Sequence, residues 1–199
     1  MPTRLPTEER QAEIVAAALQ LAREFSPALI TTGDIATAVG ISQGAVFKHF
    51  ASKDAIWLAA MRWVREGLLA SLHAAAQGAA TPLEKLGAVF RAHVGYVVEH
   101  PGVPRFIFHE LQQPSDTPAK QEVRTLLQAY RKLLLRLFEQ AVEARQVPAT
   151  LNREAAATLF VGIVQGLVMQ TMLTGRPAAM KALSEPVFAL YIRGIVEAP

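Results

Sequence analysis

The sequence contains no cysteine among its 199 residues. Disulfide frameworks and thiolate metal sites are therefore excluded, and the composition fits a reducing cytosol. The first ten residues become charged at once and contain no apolar stretch of the kind that a secretory signal has. We expect no apolar run to reach the roughly 18 residues of a membrane span, since Gln165 and Gln170 interrupt the longest one. The sequence therefore predicts a soluble, cytoplasmic protein.

Positive support for catalysis or metal binding is also lacking. The chain contains no glycine-rich phosphate loop ending in Gly-Lys and no HExxH pattern. His93 and His100 are seven residues apart, which is too far for the i, i+4 pairing of helical zinc sites. An enzyme, in the form of a helical hydrolase or a metal-dependent lyase, is accordingly the weakest alternative. We expect no catalytic residues, no metal and no cofactor.

The charge balance points only weakly to an anionic partner. The net charge is +3 and the isoelectric point is near 9.4. Basic and acidic side chains cancel in the first 53 residues, where Arg4, Arg10, Arg23, Lys48 and Lys53 stand against Glu8, Glu9, Glu13, Glu24 and Asp34. If this part of the chain binds nucleic acid, the local placement of charge must be responsible, because bulk charge cannot be.

What the sequence does contain is a helical pattern. Period-two alternation is missing, and breaks rich in proline and glycine separate apolar stretches that have helical spacing. These breaks predict about eight to ten helices, hence an all-α fold. No shift in composition marks a flexible linker, so any two modules should be joined rigidly.

Residues 7 to 50 predict a helix-turn-helix. Thr7 is expected to cap a first helix, and Thr31-x-x-Asp34 is a capping-box variant that opens a short second one. Gly40 can adopt the left-handed conformation that ends this second helix, and Ser42 is expected to cap the third. Two short helices joined by such a turn are typical of DNA-binding modules.

The third helix is expected to bury one side in the protein core and to expose the other side to solvent. Val46 and Phe50 lie four residues apart and should face inward. On the outward side, the amide of Gln43 offers the donor and the acceptor that adenine requires. Lys48 suits phosphate or guanine. The outward side is therefore predicted to contact DNA.

Residues 31 to 61 read TTGDIATAVGISQGAVFKHFASKDAIWLAAM. Their spacing of Asp-Ile-Ala, Gly-Ile-Ser, Gly, Phe-x-His-Phe and Lys resembles the N-terminal signature of the tetracycline-repressor (TetR) family of bacterial transcription regulators. The resemblance implies an all-α homodimer, with a three-helix helix-turn-helix DNA-binding domain in residues 1–51 joined rigidly to a larger helical effector-binding and dimerisation domain in residues 52–199. By that analogy eight residues face DNA: Thr32, Gln43, Gly44, Ala45, Phe47, Lys48, His49 and Lys53.

The remaining chain supplies large apolar side chains with a few polar tips, which suit a ligand cavity and suit a packed core equally well. The resemblance implies that this part of the chain binds a small ligand. Because the candidate lining is mostly apolar and aromatic and contains no cluster of lysine or arginine, we expect a hydrophobic or aromatic effector, neutral or weakly charged. The predicted lining of the cavity is Met61, Val64, Phe90, His93, Tyr96, Phe106, Tyr130 and Met169.

The last two helices are apolar on more than one side. The first should run from Arg153 to Leu173, and Ser184 is expected to cap the second, with Pro186 in its first turn. The resemblance implies that the same pair from a second subunit covers them. The predicted dimer contacts are Phe160, Ile163, Gly166, Leu167, Val187, Leu190 and Tyr191.

Together these features predict a dimeric, ligand-responsive transcriptional repressor that binds a palindromic operator and is released by its effector. The alternative is a constitutive or architectural DNA-binding protein without an effector. A cavity large enough for a small molecule separates the two hypotheses.

Overall fold

The computed structural model describes residues 6–196, which form nine α-helices and no strand. The prediction of an all-α fold is therefore confirmed. The helices are α1 Thr7–Leu21, α2 Thr32–Val39, α3 Gln43–Val46, α4 Lys53–Gln77, α5 Pro82–Glu99, α6 Gly102–Gln112, α7 Pro118–Glu143, α8 Arg153–Thr174 and α9 Pro177–Val196.

Two compact units divide the chain. The first comprises Met1–Glu66 and His100–Thr125, and the second comprises Gly67–Glu99 and Leu126–Pro199. The chain passes between them within α4, between α5 and α6, and within α7. The packing units divide inside α4, between Glu66 and Gly67, and do not test the domain boundary predicted between residues 51 and 52. That boundary stays a prediction.

The first unit has a core in which α6 lies directly against α1. A Cβ atom on Gly102 would come within 2.0 Å of the Leu19 carbonyl oxygen, so only glycine allows this approach. Farther along α6, the ring of Phe106 stacks on Trp57 of α4 with centroids 4.7 Å apart. The start of α4 is thereby fixed to α6 by aromatic packing.

The second unit has an aromatic core, contributed by α5, α7, α8 and α9. We call Phe90, Tyr130, Phe160, Phe188 and Tyr191 the aromatic cluster; all five side chains are buried. Phe90 stacks on Phe188 at 4.7 Å and meets Phe160 edge-on at 5.7 Å. The buried hydroxyl of Tyr191 donates a 2.9 Å hydrogen bond to the Ala156 carbonyl, which satisfies its polar end.

Two of the predicted helix ends are wrong. Helix α1 does begin at Thr7, but its N-cap is Pro6 and no side chain caps it. Helix α9 begins at Pro177, immediately after Gly175 ends α8 with φ +65°. Ser184 therefore lies inside α9 and donates a hydrogen bond to the Lys181 carbonyl instead of capping. Pro186 is exposed inside the helix, where its missing N–H costs one intrahelical hydrogen bond without ending it.

Helix α8 corrects the expectation about apolar runs. It has 22 residues and a mean hydropathy of 1.6 over its most apolar 18-residue window, so its length and composition would allow it to cross a membrane. The two glutamines do not lower this mean enough, because most of the other residues of the window are apolar. Core helices of soluble proteins can have the same length and apolar composition, and α8 packs against α5 and α9 in the second unit. Only 33% of the window is buried within the chain, so much of this apolar helix is exposed.

Candidate nucleic-acid interface

The start of α2 is fixed by a complete capping box. The Asp34 N–H donates to the Thr31 hydroxyl oxygen at 3.1 Å, and the Thr31 N–H donates to the Asp34 carboxylate at 2.8 Å. The Thr31 N–H and the Thr31 hydroxyl both donate to the Asp34 carboxylate and lower its pKa below the usual value, because they stabilise the charged form. The predicted capping box is confirmed.

The turn after α2 has the geometry that the glycine predicts. Gly40 has φ +76°, and its N–H donates to the Thr37 carbonyl at 3.1 Å. The Ile41 N–H donates to the Ala36 carbonyl at 2.9 Å, which completes a Schellman motif. Ser42 then accepts a hydrogen bond from the Ala45 N–H at 3.2 Å and caps α3 as predicted.

The letters Gly40 to Gly44 also fit the spelling G-x-S-x-G of a hydrolase nucleophile elbow. In that motif the serine lies on a sharp turn between a strand and a helix. Here α2 precedes the serine, and its hydroxyl oxygen accepts the capping hydrogen bond of α3. The serine therefore lies in a turn between two helices and caps the second of them, so the match to the G-x-S-x-G pattern does not indicate a hydrolase.

Helix α3 is shorter than the sequence suggests, since it ends at Val46. Hydrogen-bonded turns continue it, because the N–H groups of His49 and Phe50 both donate to the Val46 carbonyl. We call residues 42–50 the recognition segment. As predicted, Val46 and Phe50 are buried, while the other side of the segment faces solvent.

Gln43 is held by a residue of α2. Its Nε2 donates to the Thr32 hydroxyl oxygen at 2.8 Å. Thr32 is only 9% exposed, whereas Gln43 is exposed. The structure therefore brings these two predicted DNA-facing residues together, with Thr32 beneath Gln43.

The other predicted residues of the segment differ in accessibility. Gly44, Phe47 and Lys48 are exposed, and a Cβ atom on Gly44 would meet nothing within 4 Å. Ala45 and His49 are half-buried. The Nδ1 atom of His49 is buried and has no hydrogen-bond partner among residues 6–196, so only the rest of its ring is open to a contact with DNA. Gln11 of α1, which was not among the predicted residues, donates to the His49 carbonyl at 3.0 Å and fixes the backbone there.

Lys53 is bound within the protein. Its Nζ donates to the carbonyl of Ala28 at 2.9 Å, and Ala28 lies in the turn between α1 and α2. Burial lowers the pKa of Lys53, and the negative charges of Asp54 and Asp34 act in the opposite direction. Its predicted contact with DNA stays a prediction. The same side chain also joins the start of α4 to the turn between α1 and α2.

The predicted ligand residues lie in both units. Met61, Val64 and Phe106 are buried in the first unit, and Phe90, Tyr96 and Tyr130 are buried in the second. Met169 is 44% exposed on α8. His93 lies 3.2 Å from the Tyr130 hydroxyl through its Nδ1, and burial lowers the pKa of His93 to about 4. In the second unit, Phe90, the half-buried His93 and Tyr130 thus lie at one aromatic core, and the lowered pKa keeps His93 neutral at pH 7.

The predicted dimer residues divide between the core and the surface. Phe160, Leu167 and Tyr191 are buried inside the second unit. Ile163 and Val187 are half-buried, and Gly166 and Leu190 are exposed. The three buried side chains pack within their own chain, so the exposed positions carry the predicted contact.

Exposed small and apolar residues form a seam along α8. They recur at alternating spacings of three and four, the pattern that lines one side of a helix. We call them the α8 seam: Leu159, Gly162, Gly166, Met169 and Leu173, all exposed. Four of them were not among the predicted dimer contacts, and one of these four, Met169, was predicted to line the effector cavity instead, although the spacing is present in the sequence. Leu183 and Leu190 of α9 are exposed in the same way, at 51% and 61%.

Two family models match the chain. Residues 14–60 match the family described as "Bacterial regulatory proteins, tetR family", and residues 82–186 match "Tetracyclin repressor-like, C-terminal domain". The second match alone covers more than half of the 199 residues. The protein therefore belongs to the TetR family of bacterial helix-turn-helix transcriptional regulators. The resemblance inferred from residues 31–61 is confirmed, and the protein is a regulator rather than an enzyme.

Individual relatives are distant but nearly full-length. The chain is 22% identical over 188 residues to the HTH-type transcriptional repressor KstR2 of Mycobacterium tuberculosis, covering 94% of each chain. It is 18% identical over 160 residues to the nucleoid occlusion factor SlmA of a Marinomonas species, covering 80% of this chain and 81% of that one.

Solved structures share the fold over almost the whole chain. The fatty acid degradation regulator FadR of Bacillus halodurans superposes with a TM-score of 0.83 at 20% identity, covering 97% of this chain and 98% of that one. FadR of Bacillus subtilis, in complex with stearoyl-CoA, superposes with a TM-score of 0.79 at 18% identity and covers 94% and 98%. At this identity the likeness concerns the fold.

Proposed function

We propose that this TetR-family regulator is a cytoplasmic, homodimeric repressor that binds a palindromic operator and is released by a small hydrophobic or aromatic effector. The observation that carries the DNA-binding part is the recognition segment. An exposed amide held by a buried hydroxyl, an open glycine and an exposed lysine lie together on a capped helix-turn-helix. Such a surface matches the donors and acceptors of a major groove.

The α8 seam supports the homodimer. Leu159 and Leu173 are 54% and 75% exposed, and Gly162 and Gly166 leave open space in which another helix could approach. A contiguous exposed apolar strip of this length marks an interaction surface, so we expect another molecule to cover it. A second copy of the same strip fits, since two-fold interfaces pair identical surfaces.

The second unit supports an apolar effector. Its buried aromatic cluster offers ring faces, and the neutral His93 with Tyr130 offers a polar contact without a net charge. A regulator of the same fold was solved with stearoyl-CoA, whose acyl chain is apolar. This supports a hydrophobic effector, and a coupling of about 1–3 kcal/mol between the effector and operator sites would suffice for release.

Selection of bound DNA from a random pool tests the proposal. We expect enriched sequences with an inverted repeat whose half-sites lie about one helical turn, or a multiple of it, apart. Repeating the selection with candidate effectors should deplete these sequences. Enrichment of sequences without an inverted repeat would contradict a dimer with two recognition segments.

Salt titrations with the selected operator locate the contact surface. Lys48→Ala should flatten the slope of log affinity against log salt by about two units across the dimer, because each lost lysine contact releases about one counterion fewer. Lys132→Ala, which removes an exposed lysine of α7, is the matched control and should leave the slope unchanged. An equal slope in Lys48→Ala and the wild type would remove Lys48 from the interface.

A second candidate function rests on the likeness to SlmA, which is named for nucleoid occlusion and not for a regulated gene. A constitutive or architectural DNA-binding protein would show operator binding that no small molecule alters. A thermal-shift screen followed by operator-release assays of the compounds it finds separates the candidates, since an effector must both raise the melting temperature of the folded state and release the operator.

A further inference from the structure

A cavity in the first unit contains an acidic side chain for which no counter-ion is found among residues 6–196. The cavity has a volume of about 540 Å³, within the range of about 300–1,000 Å³ that small-molecule sites occupy. It is bounded by the first turns of α4, the last turn of α6 and the start of α7. None of its lining residues belongs to the set predicted to bind the effector.

Glu110 is the acidic side chain in question. It is 7% exposed, and its Oε2 accepts a 2.8 Å hydrogen bond from the Thr117 hydroxyl. The Thr117 oxygen also accepts from the Lys120 N–H at 3.0 Å, so its single hydrogen is committed to Glu110. No ion pair to Glu110 occurs in the described part of the chain. A buried carboxylate in this state is costly unless a cation approaches it.

The nearby lysines do not supply that cation. Lys53 lines the same cavity, but its Nζ donates to the Ala28 carbonyl and its electrostatic partners are Asp54 and Asp34. Lys120 donates from its Nζ to the Gln113 carbonyl at 2.8 Å. Apart from His109, the charged lining residues are Lys53, Asp54 and Glu110, which sum to a net charge of −1.

The remaining lining is apolar and gives the site its second property. Trp57 and Leu58 come from α4, Pro27 comes from the turn between α1 and α2, and Pro118 is the first residue of α7. A ligand of two parts fits: a positively charged group at Glu110 and an apolar body against these side chains. A divalent metal does not fit, because no group of three or more potential ligands occurs among the described residues.

We propose that this cavity is a binding site for a small organic cation, an amine with an apolar substituent, whose ammonium group pairs with Glu110. The site belongs to the unit that contains the helix-turn-helix and touches the first turn of α4, directly after the recognition segment. It is additional to the effector site proposed above. Its test requires no DNA, so the two proposals can fail separately.

The test uses the full chain and a pair of ligands that differ in charge. Benzylamine is a cation at neutral pH, and benzyl alcohol is a neutral molecule of nearly the same shape. By isothermal titration calorimetry, we expect benzylamine to bind at least about tenfold more tightly, as a hydrogen bond to a buried charge implies. Equal affinity for the two ligands, or binding of neither, overturns the proposal.

Three variants assign the interaction to this cavity. Glu110→Gln should abolish the preference for the amine while keeping the shape of the side chain. Glu139→Gln, which alters an exposed carboxylate of α7, is the control and should leave the preference intact. If circular dichroism shows that Glu110→Gln is unfolded, Ala28→Phe decides instead, because it fills the cavity from an exposed turn and leaves Glu110 in place. Benzylamine affinity that is unchanged in a folded Glu110→Gln or in Ala28→Phe excludes the site.

Discussion

At the scale of single residues, the hydrogen bond from Gln43 to Thr32 decides how the recognition segment presents its amide. One N–H of the amide is given to Thr32, which leaves the second N–H and the carbonyl oxygen for a base. Adenine needs that combination of one donor and one acceptor. Thr32 is therefore expected to position Gln43 rather than to contact DNA itself, which refines the role that the resemblance implied.

Thr32→Val tests this role, because valine keeps the shape of threonine and removes the hydroxyl. We expect part of the roughly 1–3 kcal/mol of discrimination at the base pair contacted by Gln43 to be lost, with an unchanged salt slope. The measurement is operator affinity for the selected site and for single-base variants of it. Thr32→Ser retains the hydroxyl and should behave as the wild type does. A uniform loss of affinity on all sequences would instead assign the Thr32 hydroxyl to phosphate.

At the scale of helices, α8 has two apolar sides with different tasks. One side packs into the second unit through Phe160, Val164 and Leu167, all buried. The other side is the α8 seam. An 18-residue window with a mean hydropathy of 1.6 follows from having both sides, since polar positions are left only between them.

Gly166→Glu is expected to separate the subunits without unfolding the protomer. A Cβ atom at Gly166 meets nothing within 4 Å, so the larger side chain fits the isolated chain. In a dimer it would bury an unpaired carboxylate at a cost of several kcal/mol. Sedimentation at micromolar concentration should show dimers for the wild type and monomers for the variant, with operator binding lost.

The matched control for the seam is Gln140→Glu, at an exposed position of α7. It adds the same carboxylate away from the seam and should sediment as the wild type does. A dimeric Gly166→Glu, or a wild type that is monomeric, would rule out the α8 seam as the interface.

At the scale of the whole molecule, acid should weaken the fold through its second unit before the carboxylates respond. The pKa of His93 is about 4 in the folded protein and near 6.5 when the chain is unfolded. Between these values only the unfolded state binds the proton, so the free energy of unfolding falls as the pH falls from about 6.5 to 4. Full stability is present above pH 6.5. The pKa values of Asp34 and Glu84 are lowered by their capping hydrogen bonds, so the stability that these carboxylates provide is lost only at lower pH.

His93→Gln isolates this effect, because glutamine cannot titrate and can still hydrogen-bond to Tyr130. Between pH 7 and pH 5 we expect the wild type to lose about 2 kcal/mol through His93, and the variant to lose less by that amount. Urea unfolding at the two pH values, followed by circular dichroism, measures the difference. Identical losses in both proteins would mean that His93 is not desolvated in the folded state.

Much of the fold and of the helix-turn-helix followed from the sequence, because the signals there are local. Thr31 and Asp34 lie within one helical turn of each other, and Gly40 needs only its own backbone conformation to end α2. Such interactions depend on residues three to five positions apart, so their spacing in the chain is almost their spacing in space. The same local signals carried the resemblance to the TetR family.

The tertiary structure decided which apolar residues are buried and which polar groups meet. Phe160 and Leu159 are neighbours in sequence, yet one is inside the aromatic cluster and the other is 54% exposed. Gln43 reaches Thr32 from a different helix, and Glu110 reaches Thr117 while facing a cavity bounded by three helices. These relations depend on how helices pack, and packing brings together residues whose distance along the chain carries no information about their distance in space.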